Sequence, residues 1–172
     1  MRKKSYIDIE IDRLTNSIEN AFSGDKFDTE VLSFSKQDLK KLKKKDWFFD
    51  WHYESKQSDR LVFKLVIEGN EDVIQGLVSL SVEEDHVYMH LIESAKFNKG
   101  KDKVYEGVPG NLVAFVCNYS MEKGHAGFIA FDAKTVLVKH YQETLFATHF
   151  KGSRMYIDNM AAERLIKQYF KK

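Results

Sequence analysis

The most constraining feature of this 172-residue chain is a change of hydrophobic period in its second half. From Arg60 to Glu68, Leu61, Phe63, Leu65 and Ile67 alternate with Val62, Lys64 and Val66, the two-residue repeat of a strand. Val73–Val82 and His86–Ser94 read as two further strands, separated by the turn Glu83-Glu84-Asp85. Such short turns predict an antiparallel meander. The repeat then lengthens: Leu112, Phe115, Val116 and Tyr119 fall at the i, i+3, i+4 and i+7 positions of a helix, which Lys123-Gly124 stops. Phe128–Phe131 is short and wholly apolar, as expected of a strand covered on both faces. A strand–helix–strand crossover makes Val87–Glu93 and Phe128–Phe131 parallel if they share a sheet.

The remaining elements extend this frame. Val136–Phe146 reads as a second helix, and Ala147–Lys151 with Met155–Ile157 as a hairpin. Asp158 caps a last helix whose Ala162, Leu165, Ile166 and Tyr169 form one stripe. Upstream, Ile7, Ile9 and Ile11 alternate with acids like a short edge strand, and Glu30–Ser35 suits another. Gln37–Lys45 reads as a lysine-rich helix and the aromatic run Trp47–Tyr53 as a strand. The expected fold is one α/β domain over residues 1–172. Its mixed, mostly antiparallel sheet has a central parallel pair and is flanked by helices. A chain of this length buries about 70% of its unfolded surface and needs no staple.

Composition excludes several classes. With 43% hydrophobic residues, 31% charged residues and one proline, the chain is not a disordered linker. No apolar run is long enough for a transmembrane helix, and Met1–Asp8 has no apolar core of a secretory signal. Cys117 stands alone, so an internal disulfide and a cysteine zinc cluster are ruled out; its apolar helical setting marks a core residue. A cytoplasmic location is expected. His86 and His90 are spaced for metal on a helix but lie ~13 Å apart on a strand, so no metal site is expected. Segment 36–45 holds six lysines against Asp38, yet the whole chain is only +1. A solvated helix face accounts for the run, and nucleic-acid binding is disfavoured because counterion release needs a broad basic footprint.

Ligands in such sheets bind at the carboxyl ends of the parallel strands. That directs attention to Ile92–Ala95, to the loop Tyr105–Leu112 and to Asp132–Thr135. Gly107 and Gly110 at a helix start allow backbone N–H groups to approach a phosphate, and Lys99, Lys101 and Lys103 lie just upstream. The same residues also suit an ordinary Gly–Pro turn with Pro109 in the first helical turn. Glu93 ends the apolar row Val87, Met89, Leu91; burial there would raise its pKa toward that of a general base, while a solvent-facing strand end is the bland alternative.

The order of elements and the loop together resemble the GNAT superfamily of acetyl-CoA-dependent N-acetyltransferases, over roughly residues 60–172. Tyr141-Gln142-Glu143-Thr144-Leu145-Phe146 is similar to that family's Tyr-x-x-x-Gly-Phe helix ending, with Leu145 in place of glycine. The loop Gly107-x-x-Gly110 replaces the family's Gln/Arg-x-x-Gly-x-Gly/Ala, and Lys134 stands where many members carry Asn. The resemblance implies acetyl-CoA as cosubstrate and acetyl transfer to an unidentified primary amine by direct attack. It implies Glu93 as general base and Tyr141 as general acid. Leu91, Ile92, Glu106, Gly107, Val108, Gly110, Asn111, Leu112 and Lys134 would contact the cosubstrate. The acceptor would be a small-molecule or peptide amine, and a homodimer is left open. A non-catalytic acyl-CoA-binding or regulatory module of the same fold is the alternative. One or two rings of Trp47–Tyr53 would wall the acceptor site.

Overall fold

The computed structural model describes residues 5–13 and 17–170. A seven-stranded sheet organises the chain in the order β3-β4-β5-β6-β8-β10-β9. Its strands are β3 (Thr29–Ser33), β4 (Leu61–Ile67), β5 (Gly76–Val82), β6 (Val87–Ser94), β8 (Ile129–Asp132), β9 (Thr148–Lys151) and β10 (Arg154–Ile157). Helices α1 (Lys36–Lys41) and α2 (Trp51–Ser55) connect β3 to β4, and α3 (Val108–Glu122) crosses from β6 to β8. Then follow α4 (Val138–Thr144) and α5 (Asn159–Phe170). A smaller sheet, order β2-β1-β7, joins Ile18–Asn20 (β1), Lys26–Phe27 (β2) and Tyr105–Glu106 (β7). Strands of two and three residues carry no period, and this sheet was not legible in the sequence.

The meander and crossover stand as expected: β3 to β6 are antiparallel, and β6 and β8 are parallel through Val87↔Ile129 and Tyr88↔Ala130. That pairing ends at Tyr88 and Ala130, beyond which the two strands part. The hairpin β9–β10 and the Asp158 cap, which accepts from the Ala161 N–H at 2.9 Å, are also present.

Three expectations are corrected. Trp47–Tyr53 is not a strand: residues 47–50 are irregular, and α2 starts behind Asp50, whose carboxylate accepts from the Tyr53 N–H at 3.0 Å. The N-cap and the burial of Trp47 and Trp51 outweigh aromatic strand preference. The row Val87, Met89, Leu91, Glu93 does not share one face. A bulge at His90, opposite Ser79/Leu80, shifts the register by one residue, so the two halves of β6 present opposite sides. Val87 and Met89 join the main core with α3 and α5, whereas Leu91 packs with Trp47, Trp51 and Leu77. Finally, Ile7–Ile11 forms only a parallel bridge, Ile7↔Ala133.

Two glycines set α3 against the sheet. A Cβ on Gly76 would lie 2.7 Å from Val108 and 2.9 Å from Leu112, so β5 and the first turns of α3 approach closely only because it is absent. Gly76 pairs with Ser94, the last residue of β6. The start of α3 is thereby seated at the carboxyl end of β6, beside the point where β6 and β8 diverge.

Candidate active site

A cleft of about 340 Å³ opens at the carboxyl end of β6. Ile92, Glu93 and Ser94 of β6 form its floor, Phe48 and Phe49 one wall, Asn98–Gly100 and Pro109 the rim. Asp8, Ile9, Glu10 and Asp12 line it as well. The Ser94 hydroxyl, on a residue only 2% exposed, has no hydrogen-bond partner and lines this space.

Glu93 is 1% exposed and faces the aromatic segment rather than α3. Its Oε2 accepts from the Phe48 N–H at 2.7 Å and from the Lys99 ammonium at 2.6 Å. Its Oε1 accepts from the Phe49 N–H at 3.1 Å and from the Trp51 indole N–H at 2.8 Å. Four donors, one of them cationic, converge on the buried carboxylate. The same bonds fold residues 47–51 into a wall. Trp51 and Lys99 are partners of Glu93 that sequence spacing could not reveal, being 42 and 6 residues away.

Tyr141 is fully buried on α4, edge-on to Phe131 at 5.7 Å between centroids. Burial raises its phenol pKa well above the usual value, with Asp8 and Glu10 adding to the shift. The hydroxyl donates to the Ile9 carbonyl and accepts from the Ile9 N–H at 3.0 Å. Tyr141 is therefore not on the lining of the cleft, and Glu93 and Tyr141 are not brought together.

The loop is divided between two tasks. Gly107 caps α3 in a left-handed conformation, φ +96°, that favours glycine. Its N–H donates to Asp12 Oδ1 at 3.1 Å, and the Lys103 ammonium meets Asp12 Oδ2 at 3.0 Å. A carboxylate thus sits at the positive end of α3. Pro109, the second residue of the helix, has no N–H to offer. Gly110 serves packing: a Cβ there would lie 1.9 Å from the Tyr169 hydroxyl. The side chains of Val108 and Leu112 are buried in the main core. Asn111 donates to the Ser17 and Gly107 carbonyls at 2.9 and 2.8 Å. Glu106 pairs with Arg13 at 3.4 Å, and Lys134 with Asp8 at 2.5 Å. Leu91 lies in the aromatic cluster, while Ile92 lines the cleft.

Other candidates resolve simply. His90 bonds Ser81 at 2.7 Å, and no cluster of metal-ligating residues occurs among the described residues. Burial pushes the Cys117 thiol up, as expected of an inert core residue. The Lys36–Lys45 run splits into α1 and a 3-10 turn at Lys44–Asp46. No helix among the described residues is long and apolar enough to cross a membrane.

No protein-family model and no curated protein sequence matches the chain. Solved structures do. AtaTR bound with AcCoA is 12% identical, with a TM-score of 0.53 over 80% of this chain and 97% of that one. A chimera of the Vibrio cholerae spermidine N-acetyltransferase SpeG and hSSAT is 16% identical, TM-score 0.52, over 79% and 98%. A KacTA–DNA complex is 13% identical, TM-score 0.52, over 81% and 98%. The fold is that of the GNAT acetyltransferases, as the order of elements implied.

Proposed function

We propose that this chain, built on the GNAT acetyltransferase fold, is an acetyl-CoA-dependent N-acetyltransferase acting on a small-molecule or peptide amine. The observation that carries the reading is the anion position at the start of α3, directly beneath the splayed parallel strands. The Asp12 carboxylate, bonded to the Gly107 N–H and Lys103, supports this reading. Lys103 and the Gly107 N–H are the groups suited to hold phosphate there, and Lys134, paired with Asp8, is a further cation beside the same segment. The unpartnered Ser94 hydroxyl offers a further hydrogen bond within the cleft.

Acetyl-CoA would supply an acetyl thioester, an electrophile that needs no covalent enzyme intermediate. The chain's own contribution is positioning and proton management. Phe48 and Phe49 line the acceptor side. Glu93 Oε2 takes the amine proton once the Lys99 ammonium moves aside. Tyr141, its proton retained by burial, serves as the donor at its hydroxyl once Ile9 releases it.

A thermal shift with acetyl-CoA tests the assignment. Ligand at one hundred times its Kd adds about 2.7 kcal/mol, and absence of any shift at millimolar acetyl-CoA in a folded sample overturns it. The second reading is a non-catalytic acyl-CoA-binding module. It is favoured by the four donors on Glu93, which leave both carboxylate oxygens already engaged. A thiol-release assay over a panel of amines separates the two: binding without turnover selects the module.

A further inference from the structure

The edge of β8 that β6 leaves open is covered by the chain itself. The Ile7 N–H donates to the Asp132 carbonyl at 2.6 Å, and the Lys134 N–H donates to the Ile7 carbonyl at 3.1 Å. Between them, the Ala133 N–H donates to the Ser153 carbonyl on the β10 side at 2.9 Å. Because successive residues of a strand point their backbone groups to opposite edges, Ile7 lies on the edge that faces β6. Segment 5–13 then continues toward α3. Ile9 is bonded to the Tyr141 hydroxyl, the Ile11 N–H donates to His140 Nε2 at 2.8 Å, and Asp12 reaches Lys103 and Gly107. Ile7 and Ile11 are buried beneath it.

We propose that residues 5–13 are an internal competitor for the acyl-CoA cleft, in which Asp8 and Asp12 hold the places of two anionic groups of the ligand. The proposal rests on the acetyl-CoA reading above and concerns its regulation. Asp8 takes Lys134, and Asp12 takes Lys103 with the Gly107 N–H; these are the cations and the amide suited to phosphate. The Tyr141 hydroxyl is occupied by the same segment. The Gly107 N–H and the Tyr141 hydroxyl lie on buried residues and need an acceptor, which the segment supplies. The segment therefore leaves when a ligand brings acceptors of its own, and occupancy of the cleft is a competition between the two. The acids of the Ile7–Ile11 alternation acquire a purpose that an edge strand would not give them.

The test is calorimetry with acetyl-CoA on the full chain, comparing wild type, the double variant Asp8→Ala/Asp12→Ala, and Lys103→Ala, each checked for folding by circular dichroism. Competition makes the double variant bind at least tenfold tighter than wild type, while Lys103→Ala binds at least threefold weaker. A purely structural ion pair would move both variants in the same direction. Equal affinities, or loss in both, overturns the competitor and leaves the acetyl-CoA reading standing. If acetyl-CoA at millimolar concentration binds none of the three folded proteins, the acetyl-CoA reading is overturned and the competitor falls with it.

Discussion

The two polar groups proposed for chemistry, Glu93 and Tyr141, are both engaged, but by different kinds of partner. Glu93 is held by its own surroundings: two amides of residues 48 and 49, the Trp51 indole and Lys99, beside the cluster of Trp47, Val62, Leu77 and Leu91. Tyr141 is held by the Ile9 backbone, part of a segment that crosses the open edge of β8. Removing the first set of bonds takes an acceptor from the interior. Removing the second uncovers a cleft. One side of the site is architecture and the other is a cover.

The largest expected effect breaks the architectural side. Glu93→Ala leaves the partly exposed Lys99 ammonium and three other donors without their acceptor, and each unpaired buried donor costs about 1–3 kcal/mol; urea unfolding measures it. A loss below about 1 kcal/mol would mean that the aromatic wall does not depend on Glu93. Glu93→Gln keeps the shape and should spare acetyl-CoA binding while slowing acetyl transfer by ~10²–10⁴-fold.

Next in size is Gly110→Ala, which forces a Cβ against the Tyr169 hydroxyl and should cost about 1–3 kcal/mol by overpacking. Tyr169→Phe in the same background should recover part of that loss. Recovery places the glycine in the packing of α3 on α5; a stability unchanged by Gly110→Ala, with acetyl-CoA affinity lost, would return it to the phosphate site.

Tyr141→Phe probes the cover. It removes two bonds to Ile9, and should lower stability by about 1 kcal/mol while raising acetyl-CoA affinity severalfold in calorimetry. If the hydroxyl acts only as an acid, turnover falls and affinity stays put.

The smallest effect is a control outside the cleft. Asp38 caps α1 with Ser35 and pairs with Lys64 at 2.8 Å. Burial opposes its charge, but the Lys64 ammonium and the Ser35 N–H and hydroxyl outweigh it and hold the carboxyl below the usual range. A lowered folded pKa contributes stability that is complete above the unfolded value near 3.9 and is lost as pH falls through the folded one. Asp38→Asn should therefore cost about 1 kcal/mol at pH 7, with the difference from wild type closing in strong acid and acetyl-CoA affinity unchanged throughout.

The sheet was readable because periods of two and 3.6 report which faces are covered, and the crossover from β6 to β8 needs only the order of those periods. The site was less readable. In the sequence Glu93 ends an apolar row, yet the bulge at His90 turns that row over, and its partners lie on a segment whose aromatic content mimics a strand. Gly107 carried its reason in its position before Pro109, whereas Gly110 answers to Tyr169, 59 residues away and invisible to spacing. The alternation of Ile7, Ile9 and Ile11 with acids announced an extended segment. That it lies on the open edge of β8, with its acids on Lys103 and Lys134, depends on the splay of two strands that no local pattern encodes.

The central claim is that the gap between β6 and β8 is an acetyl-CoA site covered by residues 5–13. Amide hydrogen exchange by mass spectrometry, on the full chain with and without saturating acetyl-CoA, addresses it most directly. The account predicts slower exchange in peptides spanning 92–99 and 105–112, together with faster exchange in 5–13. Slowing in all three segments would contradict the cover. Protection confined to the second cavity, about 460 Å³ beside Leu42, Trp47 and Ile74, would contradict the site itself.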